Sequence, residues 1–350
     1  MKIVAEIGAS HAGSIARAVK IIHHAAMAGA DAIKLQTWSP DTMDAGDRWL
    51  DAGPWKGTKL RDLYKAAHTP WDWHPILAKV AKEEGLEWWS TPFDAASVDF
   101  LESLGCPRYK IASFELVDLP LISYAAKTGK PLILSTGMAT LEEIRAAVFA
   151  AGESRSLTLL RCISSYPANP SEFNLRTMRD LRHHFGCLYG VSDHTRDTTI
   201  PTLAVAMGAS MIERHITRSH GDGLDDSFAS SPEEFTSMVR AVRTAQEAMG
   251  EVKYGPTPSE GPSLALRRSL WTVKPIRRGE RITTENVRSA RPAEGMWPGY
   301  LPFVLDKTVI QDLRPGTPLQ MHHIQGDAHD SPHHQEAQRP AERILRRPGP

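Results

Sequence analysis

The chain has 350 residues, enough for one large domain and a smaller one, and 41 basic residues balance 41 acidic ones. Net charge therefore gives no pull towards nucleic acid or an anionic membrane, and a small ligand is the expected partner. Cys106, Cys162 and Cys187 lie in apolar surroundings without CxxC spacing, which reads as reduced thiols of a cytoplasmic protein and not as a zinc site. No apolar run reaches the roughly 18 residues of a membrane span, and MKIVAEIGAS meets charged Glu6 too early for a secretory signal.

In chain order, short runs rich in Val, Ile and Leu alternate with helical patterns. They place strands at 3–7, 32–36, 87–90, 109–111, 132–135, 157–161, 188–192 and 211–215. Between them lie stretches such as IARAVKIIHHAAMAGA and LEEIRAAVFAAG, whose apolar residues recur at three and four with glycine near the end, the pattern of amphipathic helices. Eight such units predict a parallel (β/α)8 TIM barrel over 1–250. The second unit carries a long insertion, 38–70, whose Trp49, Trp55 and Tyr64 suit either an ordered lid or a packed decoration. After Gly250 the texture changes. A Pro/Gly/Ser linker is expected at 251–262, a small β-rich domain at 263–325, and a disordered tail at 326–350 whose His329, His333 and His334 are read as solvated.

In a barrel of this kind the C-terminal strand ends build the active site. Strand one ends in Glu6, with Ser10 and His11 beyond; strand two carries Lys34, Gln36 and Thr37; strand three ends in Ser90 and Thr91. Strand four supplies Lys110, Ser113 and Glu115, and strand five Ser135, Thr136 and Gly137. Strands six to eight supply Ser164, Ser165 and Tyr166, then Ser192, Asp193 and His194, then Glu213 and His215. Two lysines among so many hydroxyls suit a phosphate, whose several acceptor oxygens need donors and positive charge. His194 and His215, at the ends of consecutive strands and with Glu6 or Asp225 nearby, suit a divalent ion of the Mn, Co or Zn kind, and alternation should turn Arg214 the other way. A Schiff base on Lys110, as in a class I aldolase, is the competing chemistry. Glu115 is expected to keep Lys110 charged, which opposes it.

The ordered series AEIGASHAG, KLQT, STPFD, YKIASFE, ILSTGMAT, SSYPANP, SDHT, IERHIT, RRSL and RPAEG resembles the sialic acid synthase family along nearly all of residues 3–320. QTWSPDTM, LRDLYKAAHTPWDWHP and EVKYGPT are similar to its pseudaminic acid branch. The resemblance implies a metal-dependent condensation of phosphoenolpyruvate with an open-chain N-acetylated 6-deoxyhexose, 2,4-diacetamido-2,4,6-trideoxyaltrose, to give a nonulosonic acid and phosphate. The same reaction on N-acetylmannosamine or on the legionaminic acid precursor is the alternative. It further implies Mn or Mg, with Co as a third candidate, at His194 and His215. Lys34, Thr91, Lys110, Ser113, Ser135, Ser164 and Ser192 match phosphoenolpyruvate-binding positions. Gln36, Tyr166 and Asp225 match positions near the sugar, and Glu6, Glu115, Lys110 and His215 are the candidates for catalytic roles. The C-terminal domain resembles the antifreeze-like (SAF) module, which implies a homodimer with exchanged C-terminal domains and Arg291 offered to the partner subunit's sugar.

The chain departs from the family pattern at Ser10 and Ala12, where two asparagines are common, at Arg196-Asp197, where Leu-Gly is usual, and in the loop HGDGLDDSFASS. These positions bear on the sugar, because one missing hydrogen bond can shift specificity by orders of magnitude.

Overall fold

The computed structural model describes residues 1–43, 46, 48–152, 156–221 and 223–326. His329, His333 and His334, and the tail they belong to, lie outside the described residues. The chain forms two compact units, Met1–Glu251 and Val252–Pro350.

The first unit is a closed barrel of eight parallel strands: β1 Lys2–Glu6, β2 Ala32–Thr37, β3 Glu87–Pro92, β4 Tyr109–Ile111, β5 Leu132–Ser135, β6 Leu157–Cys162, β7 Leu188–Asp193 and β8 Met211–His215. These runs form strands because helices cover their outer face and the barrel interior their inner one, so both faces are buried and branched apolar residues suit both. Four strands run one or two residues further than hydropathy indicates, as β2 does to Thr37 and β3 to Pro92. Backbone pairing continues there into polar residues, with Thr37 opposite Pro92 and Cys162 opposite Ser192. β8 closes on β1 with Glu6 opposite His215, which brings the first and last strand ends into one mouth.

The connecting helices are α1 Ile15–Met27, α2 Pro40–Met43, α3 Leu60–Ala67, α4 Trp73–Glu83, α5 Ala95–Ser103, α6 Leu119–Ala126, α7 Leu141–Ala150, α8 Thr177–Phe185, α9 Thr199–Ala206 and α10 Pro232–Met249. Polar residues at their starts tie strand-end loops to helices. Ser14 caps α1, Asp94 caps α5, and Thr140 with Glu143 and Ser231 with Glu234 form capping boxes on α7 and α10. Ile21, Ile22, Leu101, Ile122 and Phe235 from these helices join Ile3, Ile33, Trp89 and Tyr109 from the strands in one buried core.

The 38–70 insertion contains α2 and α3, and a bridge from Trp49 to Lys59 with hydrogen bonds from Leu50 N to Thr58 O (3.0 Å) and Leu60 N to Arg48 O (2.8 Å) makes a small hairpin. It packs on the mouth through a separate apolar cluster of Ala9, Trp38 and Ala67, against which Met43, Phe93 and Leu224 lie. Among the described residues no helix is long and apolar enough to cross a membrane.

The second unit pairs β9 Ser269–Thr272 antiparallel with β10 Val287–Ala290 and adds a short helix, α11 Leu301–Val304. Its core is Leu270, Ile276, Ile282, Val287, Val304, Val309, Leu313 and Leu319, with Met296 and Ile324 at its edge. Single bridges such as Ile276 to Leu313 and Val309 to Ile324 replace longer ladders, in keeping with the prolines and glycines that interrupt each run. Part of the expected linker is ordered as an exposed 3-10 helix, Pro258–Leu266, started by Thr257 and Glu260.

Candidate active site

Strand alternation builds the floor of the mouth. Along β8, Glu213 and His215 turn inward while Arg214 turns outward to Asp193, to Thr195 Oγ1 (3.2 Å) and to Asp197 O (2.7 Å), as expected from the sequence. Inside, Glu213 is the hub. Its Oε1 accepts from Ser192 Oγ at 3.1 Å and from Lys110 Nζ at 3.3 Å, and stands 4.0 Å from Lys34 Nζ. Lys34 also pairs with Glu6 and donates to Thr91 Oγ1 at 3.0 Å. All of these groups are almost fully buried.

Burial alone would protonate Glu213, yet the two lysines outweigh it and pull its carboxyl down to about 2. Burial instead dominates at Glu6, whose pKa lies above the ordinary carboxylate value despite Lys34. Burial also presses on Lys34, but Glu213 and Glu6 outweigh it and hold that ammonium charged. At Lys110 burial prevails over Glu213, and the pKa falls below the ordinary lysine value. This corrects the sequence-based expectation for Lys110. Its ion partner is Glu213 and not Glu115, and its charged form is weakened, not protected. Glu115 itself has a buried Oε2 without a hydrogen-bond partner, and burial pushes its pKa up to about 7.

Next to this floor, hydroxyls gather around Gly137. Its N–H donates to Ser113 Oγ at 3.1 Å, and a Cβ at Gly137 would run into Ser164 Oγ and, at 2.8 Å, into Ser113 Oγ. Ser135 Oγ is buried without a hydrogen-bond partner. The Ser-Thr-Gly stop after β5 thus keeps backbone and hydroxyls close together, with Lys110 on the neighbouring strand.

Two residues beyond Ser192 on β7 and Glu213 on β8, the mouth carries imidazoles and aromatic rings. The rings of His194 and His215 lie 5.5 Å apart, and Tyr166 packs 4.3 Å from His194 and 4.7 Å from Phe228. His194 Nδ1 donates to Ile163 O at 2.8 Å. His215 Nδ1 is buried 3.2 Å from Asp225 Oδ2 but outside hydrogen-bonding geometry. Asp225 Oδ2 accepts from Ala9 N at 2.8 Å, and the turn before it needs Gly8, which has φ +49° and whose added Cβ would run into that same oxygen. Gln36 is half-buried on β2 with its Cα opposite Thr91, and Arg291 belongs to the second unit, exposed just after β10.

Several residues at this site had no assigned role in the sequence reading. Glu213 was visible as a strand-end carboxylate, but its place between two lysines depends on β2, β4 and β8 meeting inside the barrel. Cys162, read as lying in apolar surroundings, has Sγ 3.9 Å from Ser164 Oγ and 4.0 Å from His194 Nδ1, and that imidazole draws its pKa down to about 7 against the opposing effect of burial. Arg17 on α1 donates to Ser10 O (2.7 Å), Thr217 Oγ1 (3.1 Å), Ser219 O (3.0 Å) and Asp226 Oδ2 (3.2 Å), which fastens the loop after β1 to the loop after β8. Trp55 reaches in from the insertion to Tyr166 and Phe228.

The sequence matches the NeuB family over residues 21–254 and the SAF domain over residues 267–325. The chain belongs to the NeuB family. Its NeuB-family relatives include the pseudaminic acid synthase of Campylobacter jejuni subsp. jejuni serotype O:2, 38% identical over 332 residues that cover 93% of this chain and 96% of that protein. The N,N'-diacetyllegionaminic acid synthase of Legionella pneumophila is 35% identical, covering 92% and 94%. The crystal structure of N-acetylneuraminic acid (sialic acid) synthetase from Leptospira borgpetersenii matches with a TM-score of 0.67 at 31% identity, over 75% of this chain and 89% of that one.

Among the described residues of this NeuB-family barrel, no group of three or more His, Cys, Asp or Glu side chains is placed to hold a metal ion. The His194 and His215 imidazoles carry the donor chemistry for one. Centroids 5.5 Å apart are within reach of a single ion bound at roughly 2 Å per nitrogen, and His215 presents a buried nitrogen with no hydrogen bond. His194, held through one ring nitrogen by Ile163 O, has the supported geometry typical of a ligating histidine.

Proposed function

We propose that this NeuB-family enzyme condenses phosphoenolpyruvate with the open-chain form of 2,4-diacetamido-2,4,6-trideoxyaltrose, giving pseudaminic acid and phosphate. The observation that carries the reading is that one mouth holds two kinds of group. Buried lysines and hydroxyls suit a phosphate and a carboxylate, and imidazoles with aromatic rings suit a sugar aldehyde and its chain. The pseudaminic acid synthases at 38% identity, covering 93% of this chain, support the choice of acceptor.

In this reading Lys34, Lys110, Thr91, Ser113, Ser135, Ser164 and Ser192 receive the phosphate and carboxylate of phosphoenolpyruvate, with Glu213 holding both ammonium groups in place. A divalent ion, Mn or Mg with Co as a third candidate, would be held by His194 and His215 and supplies Lewis-acid polarisation of the aldehyde oxygen when bound. Gln36, Tyr166 and Asp225 orient the sugar so that its carbonyl carbon faces carbon 3 of phosphoenolpyruvate. Carbon 3 attacks through the enol π electrons, the aldehyde oxygen takes up a proton from solvent water, and positive charge develops at carbon 2. Water adds at carbon 2 and gives a proton to Glu115, whose pKa of about 7 suits a base at neutral pH. The resulting hemiketal phosphate then passes its carbon 2 hydroxyl proton to the departing phosphate as that carbon–oxygen bond breaks, leaving the 2-keto acid and inorganic phosphate, and Glu115 returns its proton to solvent. Glu6, between Lys34 and the strand that bears His215, holds the two sides in register. In this reading the enzyme is a homodimer with exchanged C-terminal domains, in which Arg291 serves the partner subunit's sugar, and the free thiols suit the cytoplasm.

The test is phosphate release from phosphoenolpyruvate by metal-stripped protein, with and without Mn. The acceptors are 2,4-diacetamido-2,4,6-trideoxyaltrose, the corresponding mannose derivative and N-acetylmannosamine. Release that needs both Mn and the altrose derivative is expected. Metal-dependent release with another of the three sugars would change the acceptor and keep the chemistry. The lowered pKa of Lys110 favours the aldolase reading at that one residue. Borohydride trapping of pyruvate on Lys110, with no effect of chelators, would replace the proposal by that chemistry.

A further inference from the structure

Above the imidazole pair, three loops bring aromatic rings together. Trp55 from the insertion lies 5.9 Å from Tyr166 and 6.2 Å from Phe228, and Phe228 in turn lies 5.1 Å from His215. Trp55, like Tyr166, is half-buried, whereas Phe228 is fully buried, so part of the indole surface stays accessible. Its sole polar atom is already used. Trp55 Nε1 donates to Leu224 O at 3.0 Å, which pins the insertion to the loop after β8 and leaves the ring nothing but its π surface to offer. Phe228 has no polar atom at all. Tyr166 carries the one hydroxyl of the three rings, so against Trp55 itself a sugar hydroxyl would lose water and gain no partner from the ring, whereas a methyl group would gain contact area.

We propose that Trp55 is the specificity-determining residue for the far end of the acceptor, selecting a deoxy, methyl-terminated sugar over one that ends in a hydroxymethyl group. This deepens the functional reading above and rests on it for the direction in which the sugar lies. With phosphoenolpyruvate among the lysines and the aldehyde at His194 and His215, the carbon chain is taken to run past Tyr166, whose ring lies 4.3 Å from His194, and Trp55 lies 5.9 Å from Tyr166. The residue comes from an insertion and not from a strand end, so its effect falls on the acceptor and leaves the phosphoenolpyruvate side untouched.

The experiment compares wild type, Trp55→Ala and Trp55→Phe on 2,4-diacetamido-2,4,6-trideoxyaltrose and on the same sugar bearing a hydroxyl at carbon 6. Circular dichroism and melting are recorded for each protein. A parallel arm measures binding of the two corresponding alditols, which have no aldehyde and cannot react. Wild type is expected to prefer the 6-deoxy compound by about 10- to 100-fold in kcat/KM and in alditol affinity, the range an apolar pocket gives against an added hydroxyl. Trp55→Ala should bring both ratios close to one, mainly by raising KM for the 6-deoxy sugar with kcat and the KM of phosphoenolpyruvate little changed. Trp55→Phe should retain most of the preference, and it answers the question if the alanine variant does not fold. A wild type without preference, alditols that do not bind, or a preference that survives in the folded variants would overturn the proposal. Discriminating alditol binding that depends on Trp55, with no phosphate released from either sugar, would instead overturn the reaction and leave this role of Trp55 standing.

Discussion

The lysine side and the aromatic side of the mouth are built in different ways. On the lysine side the working groups sit on strands or one to three residues after them, and Glu213 links Lys34, Lys110 and Ser192 across four different strands. Among the groups proposed to face the acceptor, His194 and His215 come from strand ends and Gln36 sits on β2. Trp55, Tyr166, Asp225 and Phe228 come from loops, fastened by the Trp55 bond to Leu224 O and the Arg17 bonds to Asp226 and Ser10. Strand-borne groups are placed by the hydrogen-bonded barrel itself, whereas loop-borne groups depend on a few polar fastenings. Reaction chemistry on the first kind of support with acceptor choice on the second allows the acceptor to change without disturbing the chemistry.

Substitutions can break this division, beginning where the effect is largest. His215→Ala should abolish turnover while circular dichroism and melting stay close to wild type, because His215 lies at the strand end and not in the packed core. Normal activity in that variant would remove the imidazole pair from the mechanism. Glu213→Gln leaves two lysines buried without their shared counter-charge, and a broken buried pair destabilises by about 3–5 kcal/mol. A lower melting temperature together with a raised KM for phosphoenolpyruvate is expected, and a variant with unchanged stability would show that the lysines do not need this partner. The sign also follows with pH. The folded pKa of Glu213 is depressed, so its contribution is complete above the ordinary carboxylate value and is lost as pH falls towards about 2.

Gly137→Ala forces the Ser113 and Ser164 hydroxyls to shift at the proposed phosphate site. A misplacement of about 1 Å costs about 100-fold in rate, and the loss should fall on phosphoenolpyruvate kinetics with the acceptor KM unchanged. A smaller effect is expected in the pH profile. Glu115 is protonated below about 7 and ionised above it, so as a base it should give a rate that rises with pH through that region. Glu115→Gln should flatten this limb, and an unaltered limb would assign it to another group.

Much of the lysine side was legible in the sequence because polar residues after an apolar strand stand out, and barrel topology says that they converge. Thr91, Lys110, Ser113, Ser135 and Ser192 were read in this way. Glu213 was seen but not given its role, since its partners are 103 and 21 residues distant in the chain for Lys110 and Ser192. Cys162 is a free thiol as expected, but its polar surroundings were not read, because the neighbours in sequence are apolar while the neighbour in space is His194. The insertion was recognised from its aromatic residues, yet nothing local says that Trp55 meets Phe228 or that its N–H is taken by Leu224.

By itself the sequence determined the eight βα units, the change of texture after Gly250, the strand-end lysines and hydroxyls, and the alternation that separates Arg214 from His215. These follow from local periodicity and from residues at most a few positions apart. The tertiary structure alone decided which carboxylate answers which lysine, which way burial moves Lys110 and Glu115, and which loop rings close over the imidazole pair. Those outcomes depend on distances between groups far apart in the chain and on how completely water is removed from them, and neither quantity exists until the barrel has closed.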